Sequence, residues 1–178
     1  MATTPLPNPN CYWVTSQLLA GEYPGKKQPD EARASLKRFL DCGVTFFLDL
    51  TEPHELAPYE FLLKEEAAKL RKTVEYRRLS IRDVDVPKTK EQMQDILDCI
   101  DEALQAGHIV YVHCWGGVGR TGTVVGCWLV RHDMTGEQAL AQLAELWKTV
   151  EKAWRKPHCP ETQAQREWIR AWSETSNQ

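Results

Sequence analysis

No apolar run in this 178-residue chain approaches the length that a membrane-crossing helix needs. The opening MATTPLPNPN has no basic segment followed by an apolar one, so no signal peptide is expected. The six cysteines, at 11, 42, 99, 114, 127 and 159, make no CxxC pair and no Cys/His ligand spacing, which argues against a structural zinc and a disulfide scaffold. A reducing cytoplasm is the expected compartment, and it suits a working thiolate. Neither sign of charge is in large excess: 22 Lys and Arg against 25 Asp and Glu give a formal net charge of -3. There is therefore no general basic field to hold nucleic acid, and any anion site must be local. Internal repeats, low-complexity tracts and linkers are also missing. Residues 1–178 are read as one domain, expected to be a monomer, with 1–10 as a flexible lead-in rich in Pro, Asn and Thr. Glycine is scarce too, with 10 residues in all, yet three of them fall within 116–119.

What is present is a soluble globular composition, 42% hydrophobic and 26% charged, in which strand and helix patterns alternate. Short strands are expected around YWVTSQLLAG, followed by a helix near Asp30 to Asp41 with Ala32, Leu36, Phe39 and Leu40 on one face. VTFFLDL reads as a strand covered on both sides, and TEPHELAP as a Pro-broken loop. FLLKEEAAKLRK reads as a helix and VEYRRLSI as a further strand. Thr89 and Gln92 have capping-box spacing at the start of a helix that carries Met93, Ile96, Leu97, Ile100 and Leu104 on one stripe and stops at Gly107. IVYVHC is the most buried-looking strand. A second capping box, Thr135 to Gln138, opens a helix that aligns Leu140, Leu143, Trp147, Val150 and Trp154. The last helix is expected from Pro160, burying Trp168 and Trp172. This alternation predicts an α/β fold, with a central, mostly parallel mixed sheet of about five strands and helices on both faces.

The stretch HCWGGVGRTG follows that buried strand. Ligands of open α/β sheets bind beyond the carboxyl ends of strands, where Cys114 stands. Trp115, Gly116, Gly117, Val118 and Gly119 can turn tightly and bring several N–H groups to one point, making an anion nest. A helix starting in TGTVVGCWLV would point its positive end at the same place. Arg120 adds a rigid fork of donors that matches two phosphate oxygens. The same surroundings favour the thiolate of Cys114. The loop thus holds a phosphate with its phosphorus in front of a nucleophilic sulfur and spreads the transition-state charge over fixed donors. Gly122 and Gly126 are read as letting the helix lie close to the sheet.

HCWGGVGRTG, a Cys-x5-Arg loop, resembles the signature of the cysteine-based protein tyrosine phosphatases, nearest to the small dual-specificity-like members of bacteria and archaea. The resemblance implies that Cys114 forms a phosphocysteine intermediate, that Arg120 binds phosphate, that Thr121 assists departure of the thiolate, and that His113 holds the loop. It also implies a mobile acid loop upstream in SIRDVDVPKT, where the family's aspartate followed four residues later by proline fits Asp83 and Pro87. Protonating a poor leaving group requires such an acid, so Asp83 is the candidate and Asp85 the alternative. The loop lacks the tryptophan that precedes the acid in the larger phosphatases, which agrees with the smaller subclass. PHCPETQAQREW resembles the segment in which bacterial members carry Pro-Glu-Thr and then Gln, which places Gln165, or Gln163, near the site to position water. Trp115 has two readings, as buried packing or as an outward indole that contacts the substrate. A disulfide between Cys159 and Cys114 under oxidation is a further idea.

The implied activity is phosphomonoester hydrolysis, with no metal and no organic cofactor, on a phosphorylated protein or a small phosphomonoester. No nucleic acid or membrane partner is expected. One alternative is the same chemistry on an inositol phosphate or phosphoinositide. An alternative of another class is a pseudophosphatase that binds phosphate without hydrolysis, against which intact Cys114, Arg120 and Asp83 argue.

Overall fold

The computed structural model of the chain describes residues 5–174. Five strands form one sheet in the order β1-β2-β5-β3-β4. They are β1 (Cys11–Trp13), β2 (Leu18–Gly21), β3 (Phe46–Asp49), β4 (Glu75–Arg78) and β5 (Val110–His113). β1 pairs antiparallel with β2, and every other neighbouring pair is parallel. This is the mixed, mostly parallel sheet that the alternating pattern predicts. β5 lies between β2 and β3 with all four residues buried, whereas β4, at the edge, alternates exposed and half-buried positions.

The period-two geometry of the strands sorts their side chains into two cores. Leu18, Ala20, Phe46, Leu48, Val110 and Val112 face one way. There they meet the helices α3 (Lys90–Gln105), α4 (Gly119–Arg131), α5 (Gly136–Trp147) and α6 (Gln163–Ala171). Leu19, Phe47 and Tyr111 face the other way, against α1 (Pro29–Asp41) and α2 (Glu60–Lys69). The anticipated stripes land in these cores: Ala32, Leu36, Phe39 and Leu40 of α1 are buried, as are Met93, Ile96, Leu97 and Ile100 of α3.

The structure departs from the sequence reading at several element ends. The box at Thr135 is complete, with both reciprocal hydrogen bonds. At Thr89 only half of it forms, because the Gln92 side chain accepts from the N–H of Lys88 and donates to the carbonyl of Ser80. α5 ends at Trp147 and does not run on to Trp154, which is 78% exposed in a short 3₁₀ turn, Glu151–Trp154. That turn is held by other ties: the Glu151 N–H donates to Pro9 O, and the Lys152 N–H to the Asn10 side chain. The last helix starts at Gln163, after a capping box between Thr162 and Gln165; Trp172 is buried and Trp168 partly so. Of the lead-in, residues 1–4 lie outside the described residues. Residues 5–10 are tied down at several points, with Pro5 O accepting from the Trp13 indole and Pro7 O from Arg38. Among the described residues no helix is long and apolar enough to cross a membrane.

Candidate active site

The order β2-β5-β3 makes the C-terminal end of β5 the place where the sheet reverses direction of growth, and the chain leaves it straight into Cys114. The loop then folds back on itself, so that the N–H of Gly117 donates to the Cys114 Sγ at 3.3 Å. Gly117 takes φ +72, and a Cβ there would lie 2.4 Å from the carbonyl carbon of Gly21, so both its conformation and its packing demand glycine. The N–H of Tyr23 donates to Trp115 O at 2.9 Å, tying the outer limb of the loop to the end of β2. α4 starts at Gly119 with no side-chain cap, which leaves its first N–H groups directed into the loop. Cys114 is only 3% exposed. Its thiol lines a pocket of about 400 Å³ together with Asp83, Val84, Gly119 and Arg120.

Arg120 is almost fully buried, and its five donors can be accounted for one by one. Nη1 donates to Glu55 Oε2 at 2.9 Å and to Ile81 O at 3.1 Å. Nη2 donates to Glu55 Oε1 at 2.6 Å and pairs with Asp83 Oδ1 at 2.8 Å. The buried Nε has no partner among the described residues. Glu55 thus grips the far end of the guanidinium bidentately. The side-on edge, Nε with the second Nη2 hydrogen, is held only by Asp83, whose side chain is about half exposed. Burial alone would lower the guanidinium's pKa and raise that of the Glu55 carboxyl, but their hydrogen bonds outweigh it and leave the arginine raised and the glutamate lowered.

Behind the loop, both ring nitrogens of His113 are engaged: the Nδ1–H donates to Cys114 O at 3.1 Å, and Nε2 is hydrogen-bonded to the Tyr59 hydroxyl at 2.6 Å. Burial is the main cause that lowers its pKa, against the opposing pull of the Asp49 charge. Next to it Asp49, fully buried, accepts from the Thr51 N–H and hydroxyl, the Tyr76 hydroxyl and Arg78. Burial would raise this carboxyl, yet His113 and the Thr51 and Tyr76 donors bring it below its usual range.

The sequence candidates fall into place unequally. Asp83 reaches Arg120, whereas Asp85 accepts with its side chain from the N–H of Val86. Between them Val84 has φ 60, a region that strains a β-branched residue. Gln165 is buried. It donates from Nε2 to Asp85 O at 3.1 Å and packs against Gly119, so it joins the acid loop to the start of α4. The alternative, Gln163, is exposed and bonds to Glu167. Trp115 is 57% exposed, which removes the buried-packing reading. The Thr121 hydroxyl is buried without a partner among the described residues. Gly122 and Gly126 do not face the sheet: a Cβ on the first would meet Cys159 Sγ at 2.7 Å, and on the second Ile169 Cδ1 at 2.3 Å. All six cysteines are free thiols, and burial pushes the Cys159 thiol up to about 12. Glu55 was missed. It lies in the loop after β3, a different strand from the one that delivers Cys114, and only the sheet order brings the two loops together.

Fold and loop define the class, a cysteine-based protein tyrosine phosphatase fold. The structure is similar to that of Tk-PTP in its active form, with TM-score 0.69 over 90% of this chain and 94% of that one, at 25% identity. In sequence the chain is 25% identical over 166 residues to a protein of Invertebrate iridescent virus 3 named as a tyrosine phosphatase, covering 90% of this chain and 60% of the viral one. It is 26% identical over 164 residues to the Arabidopsis thaliana phosphatidylinositol 3,4,5-trisphosphate 3-phosphatase and protein-tyrosine-phosphatase PTEN1, covering 91% of this chain and 37% of that one. The chain therefore spans less than two thirds of the length of either relative. The profile of the family described as "Polymorphic toxin system, DSP-PTPase phosphatase" matches residues 22–134, and the chain belongs to that family.

Proposed function

We propose that this chain hydrolyses phosphomonoesters as a tyrosine or dual-specificity protein phosphatase, with Cys114 as nucleophile, Arg120 as phosphate clamp and Asp83 as general acid. The observation that carries the reading is the convergence on one pocket of the Cys114 sulfur, the unpartnered Nε edge of Arg120 and the Asp83 carboxyl. A phosphate dianion takes the side-on edge of the guanidinium and the loop N–H groups, and it displaces Asp83 from Nη2. The thiolate then attacks phosphorus and the bond to the leaving oxygen breaks, with Asp83 protonating that oxygen. Water next attacks the phosphocysteine, giving its proton back to Asp83, and the thiolate leaves. The unpartnered Thr121 hydroxyl is suited to stabilise that departing sulfur. Glu55 acts through Arg120 and holds the guanidinium in register. Gln165 orders the acid loop against α4. No metal or cofactor enters any step, and a thiolate nucleophile suits a reducing, cytoplasmic setting.

The test compares substrates. Cys114→Ser should abolish turnover. Asp83→Asn should depress kcat on an alkyl phosphate by ~10²–10⁴-fold, the usual worth of a positioned acid, and far less on p-nitrophenyl phosphate, whose leaving group needs little protonation. Activity surviving in Cys114→Ser sinks the mechanism, and equal losses on both substrates move the acid elsewhere. A second reading, the same chemistry on a phosphoinositide, draws on the likeness to the Arabidopsis protein named for that substrate. Trp115 and Val118 occupy loop positions where lysines would suit a polyanionic ring, which makes the protein substrate the better fit.

A further inference from the structure

Next to the phosphate pocket a larger cleft of about 740 Å³ opens between the end of β2, the loop after β3 and the exposed face of Trp115. Its floor is apolar, made by Tyr23, Leu56 and Pro58. That floor is fixed before any ligand arrives: the Tyr23 hydroxyl donates to Ala57 O at 2.7 Å, and its ring packs edge-on against Tyr59 with centroids 5.3 Å apart. The cleft and the phosphate pocket share Trp115 and Gly116, so a molecule whose phosphate sits over Cys114 would run directly into it.

The charges around the cleft are unevenly committed. Glu55 is held by Arg120, and Glu22 by Lys152, whose Nζ also donates to Gly116 O at 2.9 Å. Lys26 and Lys27, exposed and lining the same cleft, make no ion pair among the described residues. An apolar floor beside the loop and two uncommitted cations in the same cleft match a polypeptide that presents one apolar and one acidic side chain near its phosphoresidue. A membrane surface fits less well, because the cleft is concave and the chain as a whole carries a net charge of -3.

We propose that this cleft binds the segment flanking the phosphorylated residue, and that Lys26 and Lys27 select phosphopeptides with Asp or Glu close to it. The proposal rests on the phosphatase reading above, from which its test can be separated. kcat/KM is measured for the wild type and for Lys26→Glu combined with Lys27→Glu. The substrates are p-nitrophenyl phosphate, a phosphotyrosine peptide with flanking glutamates, the same peptide with glutamines, and phosphatidylinositol 4-phosphate in phosphatidylcholine vesicles. The double variant should lose about tenfold on the glutamate peptide and keep its rate on the glutamine peptide and on p-nitrophenyl phosphate, since exposed pairs act mainly on encounter and selection. Equal wild-type rates on the two peptides overturn the cleft, and so does a loss of the same size on both. A wild-type preference for the vesicles that vanishes with the two lysines assigns the cleft to lipid and overturns it as well. Binding of both peptides to Cys114→Ser, by fluorescence anisotropy, keeps the two readings apart. A glutamate preference there with no turnover by the wild type sinks the phosphatase and leaves the cleft standing, whereas turnover without such a preference does the reverse.

Discussion

Arg120 has more to satisfy than a phosphate. Two of its partners, Glu55 and Ile81 O, lie at the far end of the guanidinium, and this fixes which edge is presented to the loop. In Glu55→Gln the amide NH₂ would face an Nη hydrogen, donor against donor, and one hydrogen bond of the bidentate pair would be lost. A charge-assisted hydrogen bond at a buried arginine contributes about 1.5–3 kcal/mol, so kcat/KM on p-nitrophenyl phosphate should fall roughly tenfold or more. Inhibition by inorganic phosphate should weaken in parallel, a readout that isolates the clamp from the acid. An unchanged phosphate Ki would remove Glu55 from the positioning role. The contrast between Glu55 and Cys114 also marks what was legible. Nucleophile, nest and clamp lie in one continuous stretch, so their spacing carries the chemistry. The acid at Asp83 needed the family's Asp and Pro spacing to be singled out. Glu55 depends on β3 lying beside β5, which no local pattern encodes.

At the scale of elements the apolar period marks α1, α3 and α5 and the buried strands, α2 is read from its charged composition and α4 as the continuation of the phosphate loop, while the ends of the elements are decided by tertiary contacts. α5 stops at Trp147 although its apolar spacing continues through Val150 and Trp154, because Lys152 is drawn to Glu22 and Gly116 O and the Trp147 indole donates to Lys156 O. The glycines of α4 carry a similar lesson. Their role as points of close approach was readable, but not the partner, which is α6 and the segment leading to it, with Ile169 over Gly126. Alanine at 126 would gain about 1 kcal/mol of helix propensity but would drive a methyl into a β-branched side chain that cannot easily rotate away. Overpacking costs about 1–3 kcal/mol, so Gly126→Ala should be net destabilising in urea unfolding. In an Ile169→Ala background the same change should become neutral or stabilising. Additive effects of the two substitutions would show that the contact does not limit the approach of α6 to α4.

For the whole molecule, the buried titratable groups around the site fix how stability responds to pH. His113 is buried and its pKa is lowered from 6.5, so between the folded value and 6.5 the unfolded chain binds a proton that the folded chain does not. Stability then rises with pH across that window and is lost as the pH falls through it. Asp49 and Glu55, both lowered, act with the same sign lower down: the stability they contribute is present above their unfolded values, near 4, and disappears as the pH drops through the folded ones. The three groups therefore never oppose one another, and the urea midpoint should climb monotonically from pH 3 to pH 7 in two steps, the upper belonging to His113 and the lower to the carboxylates. His113→Gln removes the imidazole and should flatten the upper step; because the imidazole also helps to hold Asp49 low, the lower step should shrink in part, with Glu55 and the Thr51 and Tyr76 donors to Asp49 keeping the rest. Should the upper step persist in His113→Gln, the buried imidazole behind the loop would not be its source.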